Sequence, residues 1–420
     1  MNGAFPTPPE SGTDADRSGE NIRRLLLELG ADLLGGGLPV NDVEDALRHL
    51  GAALGRPDVA VAAFPTGLFV TLERAGTTGF QPTDNPLRFE QTAEILELGQ
   101  QVRLGRLSTG DALTDLHRIR RSPARWPAWV SDLGAVPVGV GLCILLQPAL
   151  PNIAVAAAGS LIVAGLSTVA RHWAAFRPLL PVAAAFTVSF VMLLAVEASL
   201  LDGALRTIVA VLAILLPGGL LVTGLSEIAA GAASAGSARL LSGSVQLVLF
   251  LTGVLTAAAL LQAPAAALAN TYVTSAPGWA MALGVTVTLA GLMIRFNTPL
   301  SATPHIVVVA GLTAAVQLTV QSMYGAAVGG LLGAIVAAIA ATIAHALPRA
   351  PGWQVIYLPA FWVLVPGSFG LINATQMHPG NGLQDLVTAG SAVLAVAIGT
   401  LIGSLISRLP LIHHRGVRFL

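Results

Sequence analysis

Two proline-glycine interruptions lie inside long apolar segments of the sequence, one within ILLPGGLLV and one within VLVPGSFG. A helix in lipid must satisfy its own backbone, so such a break persists only beside other helices or a polar cavity. Free backbone groups at a broken helix can bind a substrate or a coupling ion. We therefore predict a binding site at both breaks; the alternative is that each proline only kinks a packed helix. The residues concerned are Pro217, Gly218, Gly219, Pro366, Gly367 and Ser368.

Two acidic residues lie within apolar segments and are candidates for proton coupling. A charge in hydrocarbon costs at least about 2.5 to 3.5 kcal/mol, so a membrane carboxylate marks a functional site by default. Glu227 follows Pro217 in a stretch of small residues. An interfacial anchor or a partner for Arg239 is the alternative role for Glu227. Glu197 lies about one turn from the end of its segment, where it can simply meet the lipid headgroups.

Uncharged polar residues in the same segments could bind the polar groups of a small ligand. Gln317 and Gln321 are four residues apart and so share one helical face. Hydrogen bonding between neighbouring helices is the alternative role for each of these residues. The candidates for ligand binding are Asn297, Gln317, Gln321, Ser368 and Asn373.

The sequence gives no sign of a metal, a cofactor or an enzyme. His305, His345, His413 and His414 lack partners at ligand spacing, and neither an HExxH motif nor a GxxxxGK[ST] loop occurs. We therefore assign no metal, no cofactor and no catalytic residue. Acidic residues and His49 near the N-terminus could serve a membrane-tethered hydrolase, but their spacing fits a solvated helix face.

Composition identifies the broad class of the protein. Only 10% of the 420 residues are charged, and the mean hydropathy is +0.74, whereas soluble domains are about 25% charged. These values indicate a polytopic membrane protein. The formal net charge of zero argues against nucleic acid as a partner, because phosphate binding needs an excess of basic residues.

The chain divides into a polar N-terminal part and an apolar remainder. We expect a disordered tail over 1–18, because it is rich in Pro, Gly, Ser and Asp. Residues 19–128 carry most of the charge and read as a small α+β domain. Within it, the segments 59–64 and 67–72 flank Pro65 and Thr66 and predict a pair of short strands.

The apolar remainder contains about ten segments of the length that a bilayer requires. Arginines before the first segment and in alternate loops place the N-terminal domain and both termini in the cytoplasm by the positive-inside rule. The loop arginines are Arg171, Arg177, Arg239, Arg295, Arg349, Arg408 and Arg415. The predicted spans are 130–147, 150–169, 178–200, 204–224, 239–262, 277–294, 303–321, 326–346, 354–374 and 385–407.

The ten spans form two repeats of opposite orientation. Pro217 and Pro366 are 149 residues apart, and the same offset aligns the apolar segments of 133–262 with those of 282–411. We assign the first five-helix repeat to 129–263 and the second to 274–410. Five spans in each half reverse the second half in the membrane, which is the plan of many secondary transporters. We therefore predict a membrane all-α fold with two inverted five-helix repeats, and we expect the two breaks to face each other near the midplane.

Three parts of the sequence resemble the bacterial threonine/serine exporter family. They are the N-terminal stretch from LLLELGADLLGGGLPVNDVEDALRHL onward, the segment LLPGGLLVTGLSEIAAG and the late segment VLVPGSFGLINATQM. The resemblance implies ten transmembrane helices in two related halves, a cytoplasmic N-terminal domain and proton-driven efflux of threonine and serine. Members usually carry an acidic residue, often Asp, at the position of Glu227.

We accordingly expect an exporter of small polar amino acids in the bacterial inner membrane, working by alternating access and proton antiport. Its partners would be the amino acid, protons and the lipid bilayer, and a homo-oligomer is compatible with the sequence. A passive channel, or a membrane sensor with a cytoplasmic ligand-binding domain, is the alternative. Dependence of transport on a gradient would separate these alternatives from a coupled exporter.

Overall fold

The computed structural model describes residues 14–73, 76–83, 87–269, 278–347, 350–364 and 382–407. Contacts between Cα atoms divide the chain into two compact units. The N-terminal unit is built from residues up to Leu87 and from Glu94–Ser122, and the membrane unit from Arg88–Ala93 and from Pro123 onward. The predicted residues Pro366, Gly367, Ser368, Asn373, Arg349, Arg408 and Arg415 lie outside the described ranges.

The N-terminal unit combines helices with one three-stranded antiparallel sheet in the order β1-β2-β3. Its core consists of apolar residues that recur at helical spacing in the first two helices and of inward residues in the strands, including Val61, Leu68 and Val70. The elements are α1 (Asp14–Gly35), α2 (Val40–Ala53), β1 (Ala60–Phe64), β2 (Gly67–Thr71), β3 (Thr78–Pro82), α3 (Phe89–Arg103, shared with the other unit) and α4 (Thr109–Arg121).

The predicted strand pair is confirmed. Ala60 pairs with Thr71 and Phe64 with Gly67, so Pro65 and Thr66 form the turn. Strand β3 was not predicted, because its sequence TGFQP combines Gly, Gln and Pro and has no buried alternate residues to signal a strand. Helix α1 begins at Asp14, within the stretch expected to be a tail over 1–18, and residues 1–13 lie outside the described part of the chain.

The membrane unit is all helical in its described residues. Short 3-10 turns connect several of its helices, and glycines allow neighbouring backbones to approach closely. The helices are α5 (Ala128–Leu133), α6 (Ala135–Leu146), α7 (Leu150–His172), α8 (Leu180–Glu197), α9 (Ala204–Leu212), α10 (Gly218–Ala229), α11 (Ala233–Leu260), α12 (Ala280–Arg295), α13 (Thr303–Tyr324), α14 (Ala326–His345), α15 (Trp353–Val363) and α16 (Gly382–Ser407).

Six stretches of the described chain are long and apolar enough to cross a membrane, and α9 with α10 makes a seventh if the bent pair is one span. They are Ala128–Leu146, Leu150–His172, Ala174–Glu197, Ala233–Leu260, Leu300–Tyr324 and Ala326–His345. Helix α12 is a shorter apolar helix of 16 residues. The chain is therefore a multi-pass membrane protein, whereas the count of ten spans stays a prediction.

Candidate functional site

The first predicted break is a real interruption between α9 and α10. Helix α9 passes into a 3-10 turn over Ala213–Leu215, and the backbone is extended at Leu216, with ψ 141°. Helix α10 begins at Gly218, and the two helices are bent by 64°. Pro217 explains the break, since proline has no N–H for the helical ladder and its ring clashes with the preceding turn. The predicted interruption of the helix at Pro217 is confirmed, whereas the binding role of the break stays a prediction.

The break leaves a backbone carbonyl to be satisfied by a side chain. Gln246 of α11 donates a hydrogen bond from Nε2 to the carbonyl oxygen of Leu215, at 3.1 Å. Gly219 is half-buried, and no atom lies within 4 Å of the position that a Cβ would take there. The break therefore combines backbone groups released from the helix with open space beside Gly219.

Leu364 is the last described residue before the gap at 365–381, within which the second predicted break lies. Gln317 of α13 donates from Nε2 to the carbonyl oxygen of Leu364, at 3.2 Å. Gln321 lies one turn further along α13 and packs beside Gly329 of α14, whose Cβ position is 2.7 Å from the Cβ of Gln321. The predicted shared face of the two glutamines is thus directed at α14.

Glu227 lies on α10 and forms an ion pair with Arg239 of α11. Oε2 of the glutamate is 3.1 Å from Nε of the arginine, and the two side chains are 0% and 11% exposed. The pair is close because α10 and α11 touch at Gly224 and Gly236, where a Cβ on Gly236 would lie 2.4 Å from the carbonyl oxygen of Gly224. Arg239 is therefore the partner of Glu227 that the sequence offered as an alternative to proton coupling.

Glu197 has a different environment from Glu227. It is the last residue of α8, and its side chain is exposed. A carboxylate at a helix end can be hydrated or can meet headgroups without the cost of burial.

Asn297 holds together two segments that are far apart in sequence. Its backbone has a φ of 51°, a left-handed conformation that Asn tolerates better than most residues. Its Oδ1 accepts from the backbone N–H of Trp126 at 2.8 Å, and its Nδ2 donates to Oγ of Ser131 at 2.9 Å. The side chain thus joins the start of α5 to the segment after α12.

Asp132 is a buried carboxylate that the sequence analysis did not select. Its side chain is 4% exposed and lies between Arg171 and Arg295, with 2.7 Å from Oδ1 to Nη1 of Arg295. Thr168 donates to its Oδ2 at 2.8 Å. The sequence contained evidence for this ion pair. Asp132 is an acidic residue inside the first predicted span, and both arginines were predicted in loops on one side of the membrane.

A second polar cluster lies in the N-terminal unit between α1 and α4. Arg120 contacts both oxygens of Asp32 through Nε, at 2.9 and 2.8 Å, and Oε2 of Glu28 through Nη1, at 2.8 Å. Nε2 of His117 is 2.8 Å from the same oxygen of Glu28, and Arg24 contacts the other oxygen. Two carboxylates one turn apart on α1 therefore share one guanidinium.

The two carboxylates of this cluster have opposite pKa shifts. Burial raises the pKa of Asp32 from 3.8 to about 6, although Arg120 opposes that shift. Burial also acts to raise the pKa of Glu28, but Arg24, Arg120 and His117 outweigh it and hold that pKa below its usual value. Glu28 is consequently the charged partner of Arg120, and Asp32 is the group that takes up a proton near pH 6.

Within the ranges that the structure describes, no group of three His, Cys, Asp or Glu residues could hold a metal ion. Two acidic residues of α2 form ion pairs at the surface: Arg48 contacts Glu44 and Asp45, and Glu44 also accepts from the backbone N–H of Ala63. These contacts fit the solvated helix face rather than a catalytic cluster.

Comparison with known protein families gives a match. No curated protein and no solved structure matches the chain. The model of the family ThrE, described as "Putative threonine/serine exporter", matches residues 24–261. This range covers more than half of the chain and includes the first break, Glu227, Arg239 and Gln246. The protein therefore belongs to the threonine/serine exporter family ThrE.

Proposed function

We propose that the protein is a secondary active exporter of threonine, serine and similar small polar amino acids, driven by proton antiport across the bacterial inner membrane. The observation that carries the proposal is the 64° break between α9 and α10 inside an apolar bundle. Backbone groups freed at such a break can bind a ligand in a place where lipid offers no hydrogen bonds. Membership of ThrE supplies the substrate class.

The helix boundaries support a repeated architecture of ten helices. Helices α9 and α15 begin at Ala204 and Trp353. These starting residues differ by the 149 positions that separate Pro217 from Pro366. The contacts between helices also repeat in the two halves. Helix α8 packs on α11 as α14 packs on α16, and α7 packs on α9 as α13 packs on α15.

The direction of two central helices supports inversion of the second half. Gly134, at the start of α6, lies close to Gly291 near the end of α12. Gly141, further along α6, lies close to Gly284 nearer the start of α12. The helices are therefore antiparallel, as the equivalent helices of two inverted repeats must be. With the arginine pattern, this arrangement supports cytoplasmic termini.

The proposed substrate site lies at the two breaks. Free N–H groups in the first turn of α10, at Gly218 and Gly219, would attract a carboxylate through the helix dipole. Gln317 and Gln321 would supply side-chain amides. Pro217, Pro366, Gly367, Ser368, Asn373 and Asn297 complete the set that we propose to shape the site.

Glu227 is the proposed proton-coupling group, with Glu197 as the second candidate. In this structure Arg239 neutralises the buried carboxylate of Glu227. Protonation of the carboxylate would release Arg239, and the contact between α10 and α11 would then depend on whether a proton is bound. Such a coupling would connect the proton cycle to the helix that forms the break.

A transport assay in proteoliposomes tests the proposal. Purified protein should exchange labelled threonine and serine in counterflow, and an outwardly directed proton gradient, with the vesicle interior acidic, should drive accumulation of the amino acid inside the vesicles against its own gradient. A protonophore should abolish accumulation but leave counterflow intact. Flux that only follows the substrate gradient, without counterflow, would identify a passive channel and refute the exporter.

A further inference from the structure

The carbonyl of Leu215 has lost its helical partner. In a continuous helix it would accept from the N–H of Gly219, four residues on. The extended backbone at Leu216 and the 64° bend prevent this bond. The carbonyl accepts instead from the carboxamide of Gln246, at 3.1 Å. A side chain from another helix therefore supplies the donor that the break removed.

The second half uses the same acceptor but a donor from a different helix. Leu364 lies 149 residues after Leu215, so the two carbonyls are equivalent in the repeat. Gln317, which binds the carbonyl of Leu364, is not the counterpart of Gln246. The residue 149 positions after Gln246 is Ala395, and the residue 149 positions before Gln317 is Thr168. The feature common to both halves is thus a carbonyl that requires a donor.

The first carbonyl also has the surroundings that a cationic ligand needs. It lies at the C-terminal end of the first half of the broken helix, where the partial charge of the helix dipole is negative. Gln246 is half-buried and Gly219 leaves open space at the break. The glutamine is neutral, so a ligand with a positively charged donor can compete with its single hydrogen bond.

We propose that the carbonyl of Leu215 binds the ammonium group of the exported amino acid, and that Gln246 occupies this carbonyl until the ligand displaces it. An ammonium offers three donors, one of which would replace the Nε2 of Gln246. This inference rests on the exporter function proposed above. It identifies the ammonium as the part of the substrate that binds at the first break. It makes Gln246 a residue that sets affinity by competition.

Binding of L-threonine to the purified full-length protein, measured by isothermal titration calorimetry, tests the competition. Gln246→Met keeps the length and unbranched shape of the side chain but removes the donor. The ligand then satisfies a carbonyl that is otherwise unpaired, so the Kd should fall about three- to tenfold, the value of roughly one hydrogen bond. Gln246→Glu, which cannot donate when ionised, should shift the Kd in the same direction.

Thr252→Val is the matched control on α11. Its hydroxyl donates to the carbonyl of Val248 within the same helix, at 2.8 Å, and its side chain is exposed. Its Kd should equal that of the wild type. An unchanged or higher Kd in folded Gln246→Met and Gln246→Glu proteins would overturn the proposal, because a purely structural glutamine would not strengthen binding when it is removed.

A competitor without the amino group tests whether the carbonyl of Leu215 binds the ammonium of the substrate. 3-Hydroxybutyrate carries a hydrogen where threonine has its ammonium and offers the carbonyl no donor there, so Gln246→Met should not improve its affinity. An equal gain for this acid, or displacement of threonine by sodium chloride but not by choline chloride, would exclude the substrate ammonium as the ligand. If the wild type binds neither threonine nor serine, the proposed function itself fails and the subsite with it.

Discussion

Glu227 and Arg239 neutralise each other at a site where the glutamate is fully buried and the arginine is 11% exposed. Removal of one partner from a buried pair leaves the other charge uncompensated, which costs about 3–5 kcal/mol. Glu227→Gln alone would therefore change stability as well as proton coupling. A variant in which both charges are absent separates the two effects.

We predict that Glu227→Gln lowers the melting temperature and that Glu227→Gln with Arg239→Gln recovers most of the loss, because no buried charge is then unpaired. If Glu227 couples protons, the double variant should still exchange threonine in counterflow but should not accumulate it against a gradient. Glu227→Asp should keep part of the activity, because it retains a carboxylate. Wild-type accumulation by the double variant would assign Glu227 to anchoring, and Glu197 would be tested next.

Asp132 permits a second prediction, which concerns stability. Asp132→Asn removes the charge that Arg171 and Arg295 share, although the amide can still accept from Thr168. Because both arginines are partly exposed, at 32% and 26%, they can be hydrated and the expected loss is about 2 kcal/mol. Glu197→Gln, at an exposed helix end, is the control and should change the unfolding temperature little. Equal effects of the two variants would contradict a stabilising role of the ion pairs that Asp132 forms with Arg171 and Arg295.

Asp32 gives a prediction about pH. Its pKa is raised to about 6 in the folded protein, so between pH 4 and pH 6 the folded state binds more protons than the unfolded state. Its contribution to stability is therefore present at low pH and is lost as the pH rises through 6. Relative to Asp32→Asn, protection of α1 and α4 in the wild type should fall by about 1 kcal/mol between pH 5 and pH 7.

Hydrogen exchange of the full-length protein, followed by mass spectrometry, measures this difference. Comparison of the two proteins at each pH cancels the pH dependence of the exchange chemistry itself. A constant difference between wild type and Asp32→Asn across this range would show that Asp32 is ionised throughout, with Arg120 outweighing burial.

At the scale of elements, the helical hairpin of α10 and α11 depends on two glycines. The Cβ positions of Gly224 and Gly236 meet backbone atoms of the opposite helix, which cannot move aside as a side chain could. Gly236→Ala should force the helices apart, separate Arg239 from Glu227 and cost about 1–3 kcal/mol. Gly165→Ala on α7 is the control, since nothing lies within 4 Å of its Cβ position. Thermal unfolding of both variants in detergent makes the comparison, and equal melting temperatures would refute the close contact.

Structural elements that are determined by residues close together in the chain could be predicted from the sequence. The break at Pro217 follows from a missing N–H, and the strand pair around Pro65 and Thr66 follows from a turn between alternating residues. The cap of α4 is equally local, since Oγ of Ser108 accepts from the N–H of Asp111 at 3.2 Å. In each case the deciding groups lie within a few residues of one another.

Contacts between distant residues could not be predicted in the same way. Asp132 is 163 residues from Arg295, and no periodicity links the two. Gln246 was missed because its partner is a backbone carbonyl, which has no signature in the sequence. Asn297 was predicted to bind substrate, and that role stays a prediction, but its hydrogen bonds to Trp126 and Ser131 depend on how α12 lies beside α5.

At the scale of the whole molecule, the proposed exporter function requires that α9 and α10 together cross the bilayer. A pair of helices bent by 64° can be either a broken span or a re-entrant loop that returns to the side on which it began. The two arrangements differ in where the connecting segments lie. Leu200 precedes α9 and Ala230 follows α10, and both are exposed. If Leu200 and Ala230 lie on opposite sides of the membrane, α9 and α10 form a broken span. If they lie on the same side, the two helices form a re-entrant loop.

We predict that Leu200 faces the outside and Ala230 the cytoplasm. The repeat offset and the distribution of arginines both indicate that α9 and α10 together form one span. Single cysteines at these positions, in a protein with the buried Cys143 replaced by Ser, can be labelled with a membrane-impermeant maleimide. Leu200→Cys should react in intact cells, and Ala230→Cys only after the cells are permeabilised. If both cysteines react in intact cells, or neither does, α9 and α10 re-enter on one side. The two halves would then differ in topology, and the proposed inverted repeat would have to be abandoned together with the alternating-access site built on it.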